Sequence, residues 1–123
     1  MASKKSLKQL ERIKIKEHFK QWSIDVRNRD KKCVICSSTK FLNAHHIIPR
    51  ENKDLRFDLN NGITLCVKHH KFSLEISPHR NSFMFYLWLQ SYNPKQFYYL
   101  KNQIMPYFDN TKNGKKINNR LSS

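Results

Sequence analysis

At 123 residues the chain has the size of one domain, and its two glycines and 38% hydrophobic content exclude collagen-like and linker compositions. A formal net charge of +15 selects polyanionic partners; the apolar run Phe83 to Leu89 is far short of the roughly 20 residues that span a bilayer, so nucleic acid is favoured over membrane. The first residues lack the apolar core of a signal peptide, which predicts a cytoplasmic location, a reducing compartment where three cysteines indicate a metal rather than a disulfide.

Residues 4–29 contain no Gly or Pro, and Ile15, Phe19, Trp22 and Val26 recur at helical spacing, predicting one long helix packed on the centre of the chain. On another face Lys8, Arg12, Lys16 and Lys20 recur every four residues. That ridge, with Arg27, Arg29, Arg50 and Lys71, suits the DNA backbone, although a charge run of this kind is also what a solvated face looks like. Charge concentrates at the ends: residues 1–32 carry a net +7, residues 33–79 only +2, and residues 80–123 +6.

The centre reads as a first knuckle at Cys33-Val34-Ile35-Cys36, a strand from Phe41 to Ile48, and a polar, exposed loop from Arg50 to Asn60. A second strand follows over residues 62–65, then a helix from Cys66 to Ile76. Ser77-Pro78 and Asn93-Pro94 each pair a capping residue with a first-turn proline, predicting helices over 78–91 and 94–105. Their aromatics, Phe83, Phe85, Tyr86, Trp88, Phe97, Tyr98 and Tyr99, are assigned to the core rather than to base stacking. Residues 109–123 lack apolar periodicity and read as a flexible basic tail. The expected architecture is α+β, mainly helical: one domain over 1–108 with a central core at 33–76, a long N-terminal helix and two C-terminal helices.

Five of the six histidines lie between Cys33 and His79. Cys33, Cys36, Cys66 and His69 form two short chelating turns, the ligand count and type of a closed, tetrahedral structural Zn2+ site. Adjacent residues on a strand face opposite sides and adjacent residues on a helix sit about 100° apart, so His45-His46 and His69-His70 each divide between two environments. His69 can face the zinc while His70 faces a second cavity, and one of His45 and His46 can bind a metal while the other stays free. A free neutral imidazole can take a proton from water near neutral pH, and a cation can stabilise the charge that develops on a phosphodiester.

The set Cys33-x2-Cys36, Ala44-His45-His46-Ile47-Ile48-Pro49, Asn61-Gly62-Ile63-Thr64-Leu65-Cys66 and His69-His70, led in by Trp22 to Asp30, resembles the HNH endonucleases, the ββα-metal nucleases of many phage and homing systems. The resemblance covers about residues 22–75. It implies that His45 and His70 bind a catalytic divalent cation, that His46 is the general base, and that Asn61 holds the loop and orients that base. The implied reaction is hydrolysis of DNA to 5′-phosphate and 3′-hydroxyl ends. Where many members carry a further histidine this chain has Leu74; Glu75 and Ser73 replace it poorly. The expected shell is therefore two imidazoles completed by water and phosphate oxygens, suiting Mg2+ or Mn2+, with Ni2+ and Zn2+ as other occupants. Two other readings stay open: a non-catalytic, zinc-stabilised nucleic-acid-binding module, and an accessory nuclease active only with phage packaging or mobile-element partner proteins. Sequence specificity and oligomeric state are not encoded in any readable motif.

Overall fold

The computed structural model describes residues 4–73 and 75–108; Leu74 and the tail 109–123 lie outside the described residues. Helix α1 (Leu7–Asp30) begins where Ser6 closes a capping box. Its hydroxyl accepts from the Gln9 N–H at 3.2 Å, and Gln9 Oε1 accepts from the Ser6 N–H at 2.8 Å. The start expected at residue 4 therefore moves to Leu7, because Ser6 satisfies the first donors from outside the helix. Lys31, left-handed at φ 64°, closes the other end by donating to the Arg27 carbonyl at 2.7 Å.

Strands β1 (Leu42–His46) and β2 (Gly62–Cys66) pair antiparallel, with Leu42 opposite Cys66 and His46 opposite Gly62. The first strand is shorter than expected at its start because Phe41 takes φ 55°, outside strand geometry. β2 is buried along its whole length. At Gly62 a Cβ would lie 2.5 Å from Val26 Cγ2 and 2.7 Å from Trp22 Cζ2, so glycine is what lets α1 seat its apolar stripe against the strand. The intervening loop is polar but not wholly exposed: Leu55 is buried and anchors it.

After β2 the chain departs from expectation. A single π-helical turn, Lys68–Phe72, replaces the helix expected over Cys66 to Ile76. Ser73 ends it, with ψ 119° taking the backbone out of helical geometry while its N–H donates to the Lys68 carbonyl at 2.8 Å. Ser77, expected as a cap, is instead fully buried, and its hydroxyl donates to the His70 carbonyl at 2.6 Å. Helix α2 (Ser82–Tyr92) thus starts at residue 82 rather than 78, capped by Asn81, whose Oδ1 accepts from the Met84 N–H at 3.2 Å. Helix α3 (Pro94–Ile104) starts as expected: Asn93 Oδ1 accepts from the Gln96 N–H at 3.2 Å and Pro94 occupies the first turn.

The core joins Cys33, Ile47, Ile63, Leu65, Cys66, Phe85, Leu89 and Leu100. Tyr86, Trp88 and Phe97 pack on its edge, but Phe83, Tyr98 and Tyr99, also assigned to the core, are 71%, 42% and 36% exposed. A helix against one side of a small sheet buries one stripe, and these three side chains fall outside it. The architecture is the expected mainly helical α+β arrangement around a two-stranded sheet. No helix among the described residues is long and apolar enough to cross a membrane.

Candidate metal centres

Cys33 and Cys36 come from the knuckle after α1, Cys66 from the end of β2, and His69 from the π-turn. Their ligand atoms all lie within 4.8 Å of one another. The separations are 3.7 Å for Cys36 Sγ to Cys66 Sγ, 3.7 Å for Cys33 Sγ to His69 Nδ1, and 3.2 Å for Cys66 Sγ to His69 Nδ1. Sulfurs roughly 2.3 Å from one tetrahedral zinc would be about 3.8 Å apart, so the arrangement fits that ion, and the sulfur spacing is far too long for a disulfide. Burial opposes ionisation of Cys33, but backbone N–H donors from Cys66, Cys36 and Ile35 outweigh it and hold the thiol below its usual range. For Cys66 burial dominates and raises the value. Ionising both thiols is the work the metal would do.

On the other side of the same turn a second cluster forms from His45, His70 and His79. His70 Nε2 lies 3.1 Å from His45 Nδ1 and 2.8 Å from His79 Nε2. A ring nitrogen carries either a proton or a lone pair, so His70 Nε2 cannot donate to one neighbour and accept from the other. Three lone pairs aimed at one cation would resolve the conflict, since nitrogens about 2.1 Å from a metal sit roughly 3.0–3.4 Å apart. Burial, followed by repulsion from His70, His79 and His46, lowers the pKa of His45 to about 3. Burial, then repulsion from His79 and Lys71, lowers that of His70 to about 4. Both imidazoles are therefore neutral near pH 7, the form in which they bind metals.

His79 is the residue sequence reasoning missed. Its position reads as part of a helix beginning at 78, and the motif implies two imidazoles at the site. In the structure the turns after Ser73, tied back by the Ser77 hydroxyl, carry His79 to the other two rings. The signal available was the crowding of histidines between Cys33 and His79. Of the substitutes weighed for Leu74, Glu75 is exposed and Ser73 Oγ accepts from the Ile76 N–H at 3.4 Å.

His46 faces away from the triad, as strand alternation requires. Its ring stacks on Trp22 at 3.8 Å between centroids and 7° between planes, with Phe19 edge-on at 5.7 Å. Its Nε2–H donates to the Arg56 carbonyl at 2.9 Å, which leaves Nδ1 as the free, basic nitrogen. Burial lowers the His46 pKa, the Arg56 hydrogen bond opposes that, and Arg50 adds to the lowering. Asn61 is fully buried; its Oδ1 accepts from the Ile48 N–H at 2.6 Å, and its amide donates to the Ile48 and Leu55 carbonyls at 2.9 and 3.2 Å. Among the described residues these side-chain bonds hold the loop, as expected, and none of them goes to the His46 ring itself. Trp22 and Arg56 hold the ring, and Asn61 braces the loop that presents Arg56.

Residues 33–72 match the family model described as HNH endonuclease. That stretch, residues 33–72, is an HNH segment. No curated protein and no solved structure matches the chain. The HNH likeness points to nuclease or nucleic-acid-binding chemistry and to a divalent metal. Trp22, which stacks on His46, and His79, which completes the triad, both come from outside the matched HNH segment.

In and around the HNH segment, Lys8, Arg12, Lys16, Lys20, Arg50 and Lys71 are exposed. Arg29, expected to meet DNA, is engaged internally: it donates to the Leu59 and Gly62 carbonyls at 2.7 and 2.8 Å and pairs with Asp30 at 2.9 Å. It clamps the end of α1 to β2, as Asp30 does by accepting from the Thr64 N–H at 2.9 Å. Arg27 folds back on its own helix, its Nε donating to the Ser23 carbonyl at 3.2 Å.

Proposed function

We propose that the chain is a metal-dependent DNA endonuclease in which His45, His70 and His79 hold one divalent cation and His46 is the general base. The observation that carries this reading is the convergence of three imidazole nitrogens from β1, the π-turn and the turn before α2, apart from the four groups that suit zinc. A pure binding module has no use for such a cluster.

When bound, the cation would supply charge stabilisation to the scissile phosphate and its leaving oxygen. The chain's own residues do the rest. The Arg56 carbonyl accepts the hydrogen bond from His46 Nε2–H, so His46 Nδ1 is free to receive the proton of the attacking water. Trp22 and Phe19 keep the ring from turning. Attack forms the new P–O bond, the bond to the 3′ oxygen breaks, and a 5′-phosphate remains. Three imidazoles shift the preferred ion from Mg2+ towards Mn2+, Ni2+ or Zn2+, because Mg2+ favours an oxygen shell.

In a supercoiled-plasmid nicking assay with added Mn2+, the wild type should nick and His46→Ala should lose at least about a hundredfold in rate, the usual scale of general-base catalysis. Zinc content and DNA affinity should be unchanged. A variant that nicks at the wild-type rate would remove His46 from the mechanism. Inactive wild-type protein that still binds DNA would favour the binding module.

A further inference from the structure

Two arginines meet one aromatic ring beside His46. The guanidinium carbons of Arg50 and Arg56 lie 5.9 and 5.7 Å from the centroid of Phe19, and Arg56 also lies 5.0 Å from that of Phe57. Phe19 is itself edge-on to His46. Among the described residues neither arginine has a carboxylate within ion-pair distance, and Arg56 Nε is buried without a hydrogen-bond partner. Bringing two like charges to one ring, with a donor left unsatisfied, costs free energy in the unliganded protein. An anion with several acceptor oxygens would offset that cost, and the planar fork of a guanidinium matches phosphate oxygens.

We propose that Arg50 and Arg56, held on Phe19, form a phosphate clamp that grips the backbone of the DNA strand presented to His46. Its place next to the scissile bond rests on the nuclease reading; its affinity for backbone phosphate does not. Arg56 then has two tasks. Its carbonyl fixes the tautomer of the base, and its side chain fixes the strand the base acts on. The residue lies in the loop braced by Asn61, so one hydrogen-bonded segment positions both the base and the clamp.

The test measures binding of a fluorescein-labelled 20-base-pair duplex to the zinc-loaded full chain without added divalent cation, by anisotropy over a range of KCl concentrations. Each lost phosphate contact lowers the magnitude of the slope of log K against log salt by about 0.9. Arg50→Gln should lower it by about one such step and the Arg50→Gln/Arg56→Gln double variant by about two. Lys40→Gln, the loss of an exposed charge elsewhere, should change it less than either. Should the double variant fail to fold, Arg50→Gln alone decides, because Arg50 is exposed. An unchanged slope in Arg50→Gln, or an equal loss in Lys40→Gln, overturns the clamp. Nicking by the wild type is scored separately, so a failed nuclease reading and a failed clamp give different results.

Discussion

His45 and His70 owe their low proton affinity to burial first and to neighbouring rings second, which ties the metal-free fold to pH. With a folded-state pKa of about 3 against an ordinary 6.5, His45 binds fewer protons in the folded than in the unfolded chain between those values. Its contribution is therefore complete above the unfolded pKa and is lost as pH falls through the window below it. Without added divalent cation, wild-type stability measured by urea unfolding should decline more steeply from pH 7 to pH 5 than that of His45→Gln. The comparison cancels acid effects on the cysteine site, and parallel curves would contradict the burial of a neutral His45.

The elements show which parts of the fold could be read ahead of it. The long helix, both strands and the Asn93-Pro94 start of α3 followed from periodicity and capping chemistry, because each is decided by residues within a few positions of one another. The segment from Lys68 to Asn81 did not, because it is shaped by contacts rather than propensity. Ser77 reads as a cap in isolation but is spent on the His70 carbonyl, and the chain after Ser73 turns instead of continuing a helix. That is also why the knuckle ligands could be grouped from spacing while His79 could not. The union of α1 with β2 has its own check. Gly62→Ala puts a methyl into space held by Val26 and Trp22, and overpacking of this kind costs about 1–3 kcal/mol. Thermal unfolding should show the loss; an unchanged melting temperature would mean that α1 does not seat on Gly62 as described.

At the scale of the whole molecule, the HNH segment holds most but not all of the proposed site. α1 supplies the ring under His46 and the turn before α2 supplies the third imidazole, while in sequence the weakly charged residues 33–79 are flanked by strongly basic segments. The proposed division of ligands between a staple of three cysteines and one histidine and a separate three-histidine centre is open to direct test. Nicking of supercoiled plasmid should therefore be titrated with Mn2+ for zinc-loaded wild type and His79→Ala, with zinc content determined in parallel. Losing one of three ligands should raise the Mn2+ concentration for half-maximal nicking by about tenfold or more, about 1.4 kcal/mol of binding, while zinc stays at the wild-type level. Superimposable Mn2+ curves would contradict the three-histidine centre, and loss of zinc from His79→Ala would contradict the separation of the two sites.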